Sequence, residues 1–520
     1  MSEFHVYDTT LRDGAQQEGL NLSVVDKLAI ARQLDGLGVG YIEGGWPGAN
    51  PKDTEFFQRA RTELKLEHAQ LAAFGATRRA GLKAADDPLV AALRDSGAGV
   101  VTLVAKSHDR HVELALRTTL DENLAMIRDT VGHLRAEGQR VFLDAEHFFD
   151  GYRANKAYAI EVLRTAAEAG AEVVALCDTN GGMLPTWVAD VVNEVVSATG
   201  AKVGIHCHND TGCAVANTLA AVDAGASHVQ GTVNGYGERT GNADLIAVVA
   251  NLELKLGRPV LPEGLLREAT RTAHAIAEVT NVPPASRQPY VGSSAFAHKA
   301  GLHASAIKVD PDLYQHMDPL GVGNDMRLLV SDMAGRASIE LKGRELGFEL
   351  SSELAKRVTD RVKELESRGY TFEAADASFE LLLVEEVEGT RPAYFDVESW
   401  RVISDGAGDK AGLTEATVKI VADGVRYVVT GEGNGPVNAL DAGLRAAIGQ
   451  AFPEVQQFEL TDYKVRIFDE SHGTDAKTRV LIETSDADAS WVTVGVGENV
   501  IEASWEALVD GLTFGLRRHR

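Results

Sequence analysis

Over residues 1–257, short apolar runs rich in β-branched residues alternate eight times with segments of helical spacing, a rhythm few architectures accept. The strand candidates are FHVYD (4–8), YIEGG (41–45), LAAFG (71–75), VVTLVA (100–105), RVFLDAE (140–146), VVALCD (173–178), KVGIHCH (202–208) and HVQGTV (228–233). Runs that are apolar throughout mean strands buried on both faces, and helices between them make the strands parallel. The helical segments include 23–38, which opens on a Ser23 cap, 155–170 and 211–225. Eight such units in roughly 250 residues have the count and size of a closed (β/α)8 TIM barrel. A doubly wound open sheet is the alternative, and the regularity of the eight units favours closure.

Residues 258–375 read as a linker of small helical subdomains. An irregular stretch runs from Asn281 to Gly323, and helical patterns return at 337–347 and 351–369. Residues 376–520 form a third region, α+β in class, in which strands dominate from about Ser378. Two units follow in tandem. WRVISDG, TVKIVAD and RYVVTGEG lead to a helix over 436–450, and YKVRIFD, RVLIETS and WVTVGVG lead to a helix over 500–517. An offset of 64 residues matches Gly431 with Gly495, Gly433 with Gly497, Ala439 with Ala503 and Leu444 with Leu508. The region is thus a duplicated βββα domain. Attached to a complete enzyme, such a domain is expected to be regulatory, the simpler alternative being a dimerisation module without a ligand.

The formal net charge of −25 is spread along the chain, and no basic stripe offsets it. This excludes a nucleic-acid or anionic-membrane partner and means an anionic substrate must be drawn in by local cations or a metal. No apolar stretch approaches the ~20 residues needed to span a bilayer. The start, MSEFHVYDTT, lacks a signal-peptide pattern. Cys177, Cys207 and Cys213 have no paired spacing and read as reduced thiols. A cytoplasmic protein is expected.

In a barrel of this kind, chemistry sits at the C-terminal ends of the strands. The first strand ends in DTTLRDG (8–14), placing Arg12 and Asp13 at the mouth. The fifth ends at Glu146, the sixth runs into CDTNGG (177–182), the seventh carries HCHND (206–210), and NGYGERTGNAD (234–244) follows the eighth. His206 and His208, two apart on a strand, share a face, while Cys207 points the other way. Two imidazoles with the Asp13 carboxylate and the Asn242 amide oxygen make a site for a borderline divalent ion, with positions left open for substrate or water. An isolated H-x-H would more simply be packing; Asp13, Glu146 and Asn242 at the mouth of the same barrel turn the reading towards a metal. The glycines at 235, 237 and 241 miss the dinucleotide spacing, and GEGNGP (431–436) reads as a strand-to-helix turn, so neither points to NAD.

DTTLRDG, HCHND and GERTGNAD, in this order, resemble the metal-dependent TIM-barrel enzymes that make or break carbon–carbon bonds on acyl-CoA. These include isopropylmalate, homocitrate and citramalate synthases and hydroxymethylglutaryl-CoA lyases. KAGLHASAI (299–307) is similar to the synthases' linker motif and the C-terminal repeat to their effector domain. EGGWPGANPKD (43–53) and AEHFFDGY (145–152) look most like the long citramalate synthases. The resemblance implies condensation of acetyl-CoA with pyruvate to (R)-citramalate and CoA, on the route to isoleucine. It implies Mn2+, Mg2+, Zn2+ or Co2+ on Asp13, His206, His208 and Asn242. Arg12 would then stabilise the oxyanion, Thr179 hold the substrate carboxylate, and Glu146 and His303, with Tyr314, handle protons. It further implies a homodimer and an amino-acid effector, isoleucine. Competing expectations are a sister synthase with a larger 2-oxo acid, a lyase or aldolase, and a non-catalytic amino-acid sensor.

Overall fold

The computed structural model describes residues 4–307, 309–331, 333, 335–404, 413–468 and 477–520. The expected strand ends at 405–406 and 469 lie outside these residues. The chain divides into two compact units, residues 1–296 with 317–325 and residues 297–316 with 326–520.

The first unit is a closed parallel barrel: β1 (His5–Asp8), β2 (Tyr41–Gly45), β3 (Gln70–Ala76), β4 (Val100–Lys106), β5 (Arg140–Glu146), β6 (Val173–Asp178), β7 (Val203–Cys207) and β8 (His228–Gly231). Each strand pairs with the next, and β1 returns to β8 with His5 beside His228 and Asp8 beside Gly231, which rules out the open sheet. The interior is filled rather than hollow. Tyr7, Tyr41, Phe142 and the rings of His5 and His228 pack together beneath the mouth.

Local signals set the helices around the barrel. Ser23 caps Val24–Leu37 in a reciprocal box with Asp26, and Gly38 ends it at φ +89°, where a side chain would meet Pro262 and Leu265. Asn155 caps Lys156–Glu168 by accepting from Tyr158 N–H. Beyond β8, helix Ala269–Thr280 packs on Val24–Leu37, and Leu266, Ala273, Ile276, Tyr290 and Phe296 join the barrel's apolar core.

In the second unit the 64-residue repeat is structural. Strands Phe395–Ser404, Thr414–Ala422 and Val425–Gly433 precede helix Pro436–Ile448. Strands Glu459–Ile467, Thr478–Ser485 and Ser490–Gly497 precede helix Val500–Arg518. Thr414 opposes Gly433 as Thr478 opposes Gly497. The matched glycines have one cause: the third strand lies against its helix so closely that a Cβ on Gly431 would collide with Ala439 O and Gly443 N, and one on Gly495 with Ala503 O and Ala507 N.

Two segments differ from expectation. Asp376–Glu388, where strands were expected to begin, is a helix. Its run Leu381–Val384 is buried all round, and such a run carries no period that separates buried helix from buried strand. Within the stretch read as irregular, Gly301–Ile307 forms a two-turn helix.

Candidate metal centre at the barrel mouth

Asp13 stands in the turn after β1, at the head of the short 3-10 turn Gly14–Gln16. His206 lies near the end of β7 and His208 one residue beyond it. Their Nε2 atoms approach Asp13 Oδ2 at 3.4 and 3.9 Å. One donor atom from each of the three residues falls within 4.8 Å of the others, and all three are buried. An isolated backbone bridge joins His208 to Asn242, whose Nδ2 donates to Asp13 Oδ1 at 3.2 Å and to Tyr236 O at 2.9 Å. Asn242 Oδ1 and His208 Nδ1 are buried without a protein partner.

That donor set fits a divalent ion: one carboxylate, two imidazoles and an unclaimed amide oxygen, enclosed and of borderline softness. Burial opposes charge on Asp13, yet the Arg12 guanidinium and His206 hold its carboxyl well below the usual range. Burial, then His206, lowers His208 to about 4, so this imidazole is neutral and able to coordinate at neutral pH.

Around the cluster is a cavity of about 640 Å3 lined by Arg12, Asp13, Glu146, Thr179, His206 and His208. Arg12 is clamped: Nε donates to Glu43 at 2.5 Å, Nη1 to Asp13 at 3.1 Å, and its plane lies 3.9 Å over the Phe74 ring. Thr179 Oγ1 accepts from His147 N–H at 2.9 Å, leaving its own hydroxyl proton to donate. His147 holds a left-handed backbone, φ +57°, to make that bond, local strain next to Glu146 in the cavity wall. Glu146 pairs with Lys106 Nζ across the β4–β5 register. His303 and Tyr314 belong to the second unit, where their rings stack with centroids 4.1 Å apart.

Residues 3–276 match the HMGL-like family model, 290–370 the homocitrate synthase post-HMGL domain-like model, and 373–516 the LeuA allosteric (dimerisation) domain. The (R)-citramalate synthase of Streptomyces coelicolor is 69% identical over 99% of this chain and 97% of its own. That of Aquifex aeolicus is 49% identical over 99% and 98%. The chain belongs to the citramalate synthase family. It is an enzyme, a transferase of that type, in a metal-dependent class of barrels. A probable 2-isopropylmalate synthase of Methanopyrus kandleri stands further off, at 34% identity over 99% of both chains. Among the described residues no helix is long and apolar enough to cross a membrane.

Several residues of this citramalate synthase family site escaped sequence reasoning. Glu43 is fully buried and takes hydrogen bonds from Tyr7 (2.5 Å), Thr9 (2.6 Å) and Arg12. A lone carboxylate inside the apolar YIEGG run was the available signal. Lys106 lay one residue past the expected end of β4. Arg239, at φ +57° in the GERTG loop, forks onto Asp210 (2.8 and 2.9 Å) and lines the cavity. Trp46 and Phe74 meet edge to face at 5.7 Å and form an aromatic wall.

Proposed function

We propose that the enzyme condenses acetyl-CoA with pyruvate, releasing (R)-citramalate and CoA. The observation that carries this reading is the single cavity joining Asp13, His206 and His208 to Arg12, Thr179 and Glu146, in a chain 69% identical along its length to an (R)-citramalate synthase. Asp13, His206, His208 and Asn242 would hold a divalent ion, Mn2+, Mg2+, Zn2+ or Co2+. When bound, it supplies Lewis-acid polarisation of the acceptor's keto group. Arg12, held rigid by Glu43, Asp13 and Phe74, points its charge at the oxygen that becomes an alkoxide, a preorganised stabilisation that costs no reorganisation during reaction. Thr179 donates a hydrogen bond from its hydroxyl to the acceptor's carboxylate. A base takes a proton from the acetyl methyl group, and the resulting carbon attacks the keto carbon to form the new bond. Glu146, kept in place by Lys106, and the His303–Tyr314 pair of a second copy are the proposed proton carriers. Hydrolysis of the thioester then releases CoA.

The barrel (1–257) is the proposed catalytic region, 258–375 the linker and 376–520 the effector-binding and dimerisation region, with isoleucine as the proposed effector. The test is thiol release from acetyl-CoA with pyruvate, 2-oxobutyrate, 2-oxoisovalerate and 2-oxoglutarate, each with and without EDTA. Expected is EDTA-sensitive release that prefers pyruvate. Preference for a larger acceptor would move the enzyme to a sister activity, and no release with any acceptor after Mn2+ addition would sink the reading.

A further inference from the structure

Beneath the mouth, the barrel interior holds a column of polar side chains, in which His206 and Asp144 reach the cavity wall while Gln230 and His228 below them are fully buried. Gln230, on β8, is fully buried and lies beside His206 in the β7–β8 register. Its Oε1 is 2.8 Å from His206 Nδ1. Its Nε2 is 2.8 Å from Asp144 Oδ1, on β5 across the interior, and 3.2 Å from His228 Nε2 below. His228 Nδ1 in turn lies 3.3 Å from His5 Nδ1.

These contacts admit few proton arrangements. A carboxylate oxygen only accepts, and burial keeps His228 neutral, so one of its ring nitrogens can accept too. The two N–H bonds of the Gln230 amide are therefore satisfied by Asp144 Oδ1 and His228 Nε2, and the amide oxygen must face His206. His206 Nδ1 is then a nitrogen that carries hydrogen, so the position left for a lone pair when a metal displaces the other proton is Nε2, which faces Asp13. With the amide reversed, its NH2 would meet Nδ1, and the hydrogen would sit on Nε2, where a metal must bind.

We propose that Gln230 is a positioning residue of the metal centre, selecting the His206 tautomer that can coordinate, with Asp144 and His228 fixing the direction of its amide. The proposal rests on the metal reading above. Gln230 lies outside the cavity lining and reaches it through His206 and Asp144, the two wall residues it contacts. Partners of this kind on ligating histidines are worth about ten- to a hundredfold in metal affinity.

The experiment is Mn2+ titration of chelator-stripped, full-length protein by calorimetry, for wild type, Gln230→Met, Gln230→Glu, Gln230→Asn and Asp13→Asn, alongside the melting temperature of each metal-free protein. Gln230→Met keeps the volume without the acceptor, and Gln230→Asn withdraws the amide by one methylene. Both are expected to weaken Mn2+ binding by about ten- to a hundredfold. Gln230→Glu still accepts from Nδ1–H, with a proton shared between its other oxygen and Asp144 in place of the lost N–H, and is expected to bind within a fewfold of wild type. If Gln230→Met does not fold, the contrast between Gln230→Glu and Gln230→Asn makes the same discrimination. Wild-type affinity in Gln230→Met or Gln230→Asn, or equal losses in Gln230→Glu and Gln230→Asn, would overturn the proposal while Asp13→Asn still abolished binding. No Mn2+ binding by wild type would overturn the metal reading, and this proposal with it.

Discussion

Glu43 has no access to solvent and sits at the junction of three short hydrogen bonds, from Tyr7, Thr9 and Arg12. Replacing it by alanine leaves Thr9 without its acceptor and removes one of two carboxylates from a guanidinium whose side chain is only 15% exposed. Tyr7 still has Thr102 at 2.8 Å, so its loss is partial. Breaking a buried ion pair on one side costs about 3–5 kcal/mol, and the neutral donors add only part of their nominal ~1 kcal/mol because they share one acceptor. A net loss of about 4 kcal/mol is therefore expected for Glu43→Ala. Glu43→Gln keeps the volume and one acceptor oxygen, and its amide can turn to the Tyr7 phenol oxygen, so about 1–2 kcal/mol is expected. Because Glu43 also aims Arg12, to which the proposed mechanism gives the oxyanion, Glu43→Gln is expected to lose about a hundredfold in kcat, the scale of a small misplacement of such a group. Urea unfolding of the metal-free protein and CoA-release kinetics measure the two effects. Equal midpoints for wild type and Glu43→Ala, or a Glu43→Gln enzyme with normal kcat, would refute the reasoning.

Two more perturbations follow from the same structure. Burial pushes Asp244 up to about 6, so the folded state binds its proton more tightly than the unfolded chain. Its contribution to stability is present at low pH and lost as pH rises through about 6, on the order of 1 kcal/mol between pH 5 and 7. The melting temperature of metal-free wild type should accordingly fall more over that range than that of Asp244→Asn, and parallel profiles would contradict the assignment. Gly495→Ala would drive a Cβ into Ala503 O and to 2.9 Å from Ala507 N, backbone atoms of a helix that cannot turn aside. A loss of about 3 kcal/mol in the second βββα unit, read from urea-dependent proteolysis, is expected there, and Gly431→Ala should act alike on the first; wild-type resistance in both would discount the close-approach account of the repeat.

The barrel was legible because most strands read as β-branched, largely apolar runs buried on both faces and several crossover helices carry their own caps, such as Ser23, Asn50, Thr119 and Asn155, so the pattern is written locally and repeated. Asp13, His206 and His208 could be placed at the mouth because strand ends and a two-residue alternation are also local facts. The repeat was legible for a different reason: Gly431 and Gly495 mark the same collision in two copies. Asp376–Glu388 was misread because complete burial erases the helical period, leaving a run that suits either element.

The sequence by itself therefore determined the alternation of elements, the duplicated C-terminal domain and the strand ends from which the candidate ligands project. Tertiary structure alone decided which interior polar groups answer one another. Glu43 meets Arg12 from 31 positions away, Lys106 meets Glu146 from 40, and Gln230 meets Asp144 from 86. Barrel closure brings those strands together, and a side chain's hydrogen-bond partners are a property of distance in space, for which separation along the chain carries no signal.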